Sequence, residues 1–123
     1  MARFVGRRGG HQADQLSLDD VLDILSNYQR RAIIEHLRDS SDHSHSIDGM
    51  VDKLRSVERA RQGIAPSDDY LLSVLGHVHG PKLQKLGLVE YDIQRMEIRY
   101  YPNETVERTL DAIRAAREDD DAG

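Results

Sequence analysis

Between Leu83 and Tyr101 the spacing of apolar residues changes from that of a helix to that of a strand. Leu83 and Leu86 are three apart, and Gly87 follows as a helix stop. Leu88, Val89, Glu90, Tyr91, Asp92 and Ile93 then read as a strand. Gln94, Arg95 and Met96 read as a turn, and Ile98 to Tyr101 as the returning strand closed by Pro102. This is a β-hairpin placed late in a chain whose other periodic segments are helical.

The preceding helices announce themselves by their caps. Ser17 precedes Leu18, Val21, Leu22 and Leu25, with Asp19 and Asp20 in the first turn. Asn27 ends that helix and caps the next, Tyr28 to Arg38. Asp39 to Ser46 is polar and reads as a loop. Ser46 caps a third helix through Met50, Val51 and Leu54 to about Arg61. Gly63 and Pro66 break the chain, and Ser67 opens a fourth helix with Leu71, Leu72, Val74, Leu75 and Val78. Gly80-Pro81 predicts a kink or break in it, because proline lacks a donor and crowds the preceding turn. A last helix over 104–117 carries Val106, Leu110 and Ile113 on one face. The fold class expected is mainly α with a small β-hairpin. Residues 16–103 form the domain, 1–15 a flexible basic arm and 118–123 an acidic tail.

With 123 residues, one Phe and no Trp, the chain supports a single core of Leu, Ile, Val and Ala. There is no cysteine, so disulfides, zinc fingers and thiol switches are excluded. No apolar run spans a membrane and no apolar block follows the first arginines, which predicts a cytoplasmic protein. The net charge of −5 comes from 15 Asp and 7 Glu against 14 Arg and 3 Lys. An Asp-rich, Lys-poor surface suits a high-salt cytoplasm, where long-range electrostatics are screened.

The run from Leu75 through His79, Leu83, Leu86 and Val89 to Tyr91, and the opening run Leu18 to Ile34, together resemble winged-helix regulators of the ArsR and PadR types. Haloarchaeal members combine a Leu-Ser-Asn-x-x-Arg-Arg segment with a later His-x-Pro-Lys-Leu. Leu25 to Arg31 and His79 to Leu83 match these, and the resemblance covers residues 16–101. It implies a winged helix-turn-helix plus a C-terminal dimerisation helix. It also implies a homodimer on double-stranded DNA that regulates transcription, with an oxidative-stress response among the roles known for such regulators. The alternative is a winged-helix adaptor that binds protein within a transcription complex.

On that expectation the fourth helix enters the major groove, with Tyr70, Ser73 and His77 facing bases or phosphates and Lys82 and Lys85 facing phosphates. Arg95 at the hairpin tip, with Arg99 behind it, suits a narrow minor groove. Arg55, Arg59 and Arg61 are candidate phosphate contacts, as are Arg30 and Arg31. Val106, Leu110 and Ile113 are the expected dimerisation stripe. Solvation or ion pairing is the competing account of each charged residue. His43 and His45 form a loop pair able to titrate near neutral pH. His77 and His79, two apart, fall on different helix faces and make poor co-ligands. No metal or cofactor is expected. An enzyme is not expected either: the sequence has no cysteine nucleophile, no Gly-x-Ser-x-Gly and no phosphate-binding loop.

Overall fold

The computed structural model describes residues 16–122, with side chains described through Arg117. The predicted arm, 1–15, lies outside the described residues. The chain forms α1 (Leu18–Leu25), α2 (Tyr28–Arg38), a 3₁₀ turn (Ser41–His43), β1 (Ser44–Ser46) and α3 (Ile47–Gln62). Next come α4 (Asp68–Val74), a π-helical turn (Leu75–His79), α5 (Gly80–Lys85), β2 (Val89–Asp92), β3 (Glu97–Tyr100) and α6 (Glu104–Ala122).

The caps are where local chemistry demands them. Ser17, Ser46 and Ser67 each accept from the backbone N–H three residues on, at Asp20, Gly49 and Tyr70. Asn27 accepts from Gln29 and Arg30. Gly63 and Gly87 end α3 and α5 with φ of 80° and 77°, a conformation that costs glycine little. After Gly87, Leu88 N donates back to the Leu83 carbonyl at 3.0 Å, which turns the chain into the hairpin.

The three strands form one antiparallel sheet in the order β1-β3-β2. Ser44 pairs with Arg99, and Tyr91 pairs with Ile98. The predicted loop over 39–46 thus contributes a strand. The order helix, strand, helix, helix and hairpin, with β3 between β1 and β2, is that of a winged helix-turn-helix. The hairpin is shorter than its apolar pattern suggests, because Ile93 to Met96 is a turn and Ile93 is exposed.

One core joins all the helices to the sheet. Val21, Ile24, Ile33, Ile34, Leu37, Met50, Leu54, Leu71, Leu75, Leu83, Ile98 and Tyr100 are buried in it. Val106 and Leu110 are buried in the same core at 0% exposure, and Ile113 packs against it. This corrects their assignment to a dimer interface. The apolar face of α6 packs back on its own domain, where Arg38 bonds Asp111 at 3.0 Å and the Tyr100 hydroxyl donates to Glu107 at 2.7 Å. The α6 backbone also continues through most of the segment read as an acidic tail.

No helix among the described residues is long and apolar enough to cross a membrane.

Candidate nucleic-acid interface

The segment Asp68–Lys85 stays helical through Gly80-Pro81. Gly80 has φ −57° and ψ −55°, and its N–H donates to the carbonyl of Leu75, five residues back. The irregularity expected at Gly80-Pro81 takes the form of this widened turn, and the helix is not broken there. Glycine is required at position 80 by close approach. A Cβ there would lie 2.7 Å from the Leu75 carbonyl oxygen and 3.3 Å from Cδ1 of Tyr91.

Leu71, Leu75, His79 and Leu83 bury one face of this long helix. The opposite face exposes Tyr70, Ser73, His77 and Lys85, four of the residues expected there. Alongside it a groove of about 610 Å³ runs between the helix and β2, lined by Asp69, Leu72, Ser73, Gly76, His77, Tyr91 and Ile93. Beyond the groove is the hairpin tip. There Asp92 accepts from the backbone of Gln94 and Arg95 and shapes the turn. Arg95 is 79% exposed, with its Nε 3.8 Å from the Asp92 carboxylate.

Several predicted contacts are engaged elsewhere. Arg55 makes a two-pronged pair with Asp68, Nε to Oδ1 at 2.9 Å and Nη2 to Oδ2 at 2.8 Å, and also bonds Asp52. It is a strut from α3 to the first residue of α4. Lys82 Nζ lies 3.0 Å from Asp23 of α1. Arg99 donates to the Asp42 carbonyl at 2.9 Å, which ties the central strand to the 3₁₀ turn. Arg61 stacks on the Tyr28 ring at 3.8 Å. Arg59 is exposed on α3. Arg30 and Arg31 serve the end of α1: Arg30 donates to the carbonyls of Ile24 and Asp23, and Arg31 Nη1 to that of Leu25. The last carbonyls of a helix lack the usual donors four residues on; that of Asp23 also accepts from Ser26.

Behind the helix lies a polar cluster that the sequence reading missed. Glu58 is 2% exposed. It accepts from the Tyr28 hydroxyl at 2.7 Å, from Gln29 Nε2 at 2.6 Å and from Gln62 Nε2 at 2.8 Å. Gln29 Oε1 in turn meets His79 Nε2 at 2.8 Å. Burial, reinforced by the Arg30 charge, pushes the His79 pKa down to about 4. The available signal was position: Glu58 falls on the same helical face as Ile47, Met50, Val51 and Leu54.

His77 and His79 fall on different faces, as their spacing predicts. His77 is exposed and His79 buried. The His45 ring lies 4.7 Å from that of His36, tilted by 46°, whereas His43 meets Tyr100 edge-on. No group of three or more potential metal ligands occurs among the described residues.

Residues 22–99 match a family described as a domain of unknown function, DUF7344. The chain belongs to the DUF7344 family. The match runs from α1 to β3 and leaves α6 outside it. No curated protein and no solved structure matches the chain.

Proposed function

We propose that this DUF7344 protein is a double-stranded DNA-binding transcription regulator. The observation that carries this reading is the unbroken helix Asp68–Lys85. It is packed by one face and presents Tyr70, Ser73, His77 and Lys85 by the other, beside a hairpin tipped by Arg95. A helix offered to the major groove with a basic hairpin beside it is the docking arrangement of winged-helix proteins. The charge balance restricts the reading. With net charge −5, binding rests on a few local bases.

The reading includes a homodimer, because one winged helix reads one half-site and two-fold operators pair them. Leu18 and Leu22 of α1, four residues apart, are 58% and 48% exposed and are the apolar surface this reading offers to a second copy.

The test is a gel shift with genomic promoter fragments in molar KCl against unrelated competitor DNA. A shift that survives competitor supports the reading. No shift above competitor favours the winged-helix adaptor, whose apolar groove beside Tyr91 and Ile93 would then take a protein segment.

A further inference from the structure

A second pocket, of about 390 Å³, lies between α2, α3 and α6. That volume is within the range of small-molecule sites. Five cations line it: Arg31 of α2, Lys53 and Arg61 of α3, and Arg114 and Arg117 of α6. Two carboxylates, Glu35 and Asp39, face them. An excess of positive charge in one concavity is notable in a chain of net charge −5.

The two carboxylates do not neutralise this cluster. A single oxygen of Glu35 is shared by Arg117 at 3.4 Å and Arg114 at 3.7 Å. Arg31 spends Nη1 on the Leu25 carbonyl, while its Nε is buried without a hydrogen-bond partner. A buried guanidinium donor left unmade carries a desolvation cost. Burial and the nearby Arg117 and Arg61 also push the Arg31 pKa down, against an opposing pull from Glu35. An oxyanion placed among these guanidinium groups would relieve their mutual repulsion. Ala32, Val57 and Ala60 supply an apolar wall beside the cations.

We propose that this pocket binds a small organic anion, with an oxyanion head held by Arg31, Arg114 and Arg117 and a short apolar body against Val57 and Ala60. The site is separate from the DNA-facing helix and does not rest on DNA binding. It ties α6, which lies outside the family match, to α2 and α3 inside it.

Isothermal titration calorimetry of the full chain with phenyl phosphate, hexanoate and inorganic phosphate tests this. One organic probe should bind saturably with one site per chain, and more tightly than inorganic phosphate. Whichever organic probe is tighter distinguishes a phosphate from a carboxylate head. Arg114→Ala should weaken that binding at least about tenfold, the scale of a lost charge-assisted bond. Arg114 is part-exposed and its pair with Glu35 is long, so the variant should fold. Arg31→Gln should weaken it too, and Lys85→Ala should not. Four results overturn the proposal: no saturable heat from any probe, inorganic phosphate binding as tightly as both organic probes, equal loss in Lys85→Ala, or displacement of the probe by a DNA duplex. The last would make the cluster a surface for DNA phosphates.

Discussion

His79 Nε2 lies 2.8 Å from Gln29 Oε1, which joins the middle of the Asp68–Lys85 helix to the first turn of α2. The partners fix its chemistry. Gln29 spends its amide N–H on Glu58, so its oxygen can only accept. His79 Nε2 must therefore donate. Its Nδ1 is buried without a partner. A proton added to Nδ1 would be a buried charge near Arg30, with nothing to receive it.

That geometry predicts acid sensitivity. The His79 pKa is about 4 in the fold against 6.5 for an ordinary histidine. Above pH 6.5 the imidazole is neutral in both folded and unfolded chains, and its contribution to stability is fully present. As pH falls below 6.5 the unfolded chain takes up a proton that the fold refuses, so stability is lost until about pH 4. The total is about 3 kcal/mol. Urea unfolding across this range should show a steeper decline for the wild type than for His79→Gln. Parallel profiles would remove the assignment.

Gly80 and Gly76 make a paired prediction. Both sit under Tyr91, and alanine in a helix is ordinarily favoured over glycine by about 1 kcal/mol. At position 80 the obstacle is backbone, the Leu75 carbonyl oxygen at 2.7 Å. At position 76 it is the Tyr91 hydroxyl at 2.9 Å, the far end of a side chain that can move. Gly80→Ala should destabilise by about 1–3 kcal/mol and Gly76→Ala by clearly less. Equal costs in urea unfolding would mean that the π turn does not set the requirement.

What was legible in the sequence divides along physical lines. Ser17, Asn27, Ser46, Ser67, Gly63 and Gly87 act on backbone groups within a few residues, and each could be read where it stands. The strand Ser44–Ser46 could not, since it has no apolar alternation and exists because β3, more than 50 residues later, pairs with it. Val106 and Leu110 announced a buried face, but a stripe does not say what covers it. For the candidate site the exposed face of Tyr70, Ser73 and His77 followed from helical spacing. The fates of Arg55, Lys82 and Arg99 did not, because their partners Asp68, Asp23 and Asp42 are distant in sequence. At Gly80-Pro81 an irregularity was legible, but not whether the helix survives it, because the proline rule does not tell a turn widened by one residue from a break.

The reassignment of α6 separates stability from assembly. Leu110→Ala should cost about 2–5 kcal/mol in urea unfolding, as for a fully buried leucine. It should leave the association state of the folded chain unchanged. Leu22→Asp should do the reverse: little change in unfolding, and loss of any dimer by sedimentation equilibrium. A dimer dissociated by Leu110→Ala while the monomer stayed stable would restore the α6 interface.

If the Asp68–Lys85 helix docks on DNA as proposed, the cations near it should differ in their effect on binding. Lys85 and Arg95 are exposed, and the contact of Arg95 with Asp92 is long at 3.8 Å. Each is expected to meet a phosphate, so Lys85→Ala and Arg95→Ala should each lower the slope of log K against log salt by about 1. Lys82 is held at 3.0 Å by Asp23, although both groups are substantially exposed and such a pair is weak. Lys82→Ala should therefore cost less affinity than Lys85→Ala, and Asp23→Asn should raise affinity by releasing Lys82 and removing a negative charge. Fluorescence anisotropy with a labelled duplex over a KCl series measures all four. If the three alanine variants keep the wild-type slope, this face of the helix does not contact DNA phosphates. If Asp23→Asn has no effect while Lys85→Ala does, Lys82 lies outside the contact surface and the interface is limited to the end of α5 and the hairpin tip.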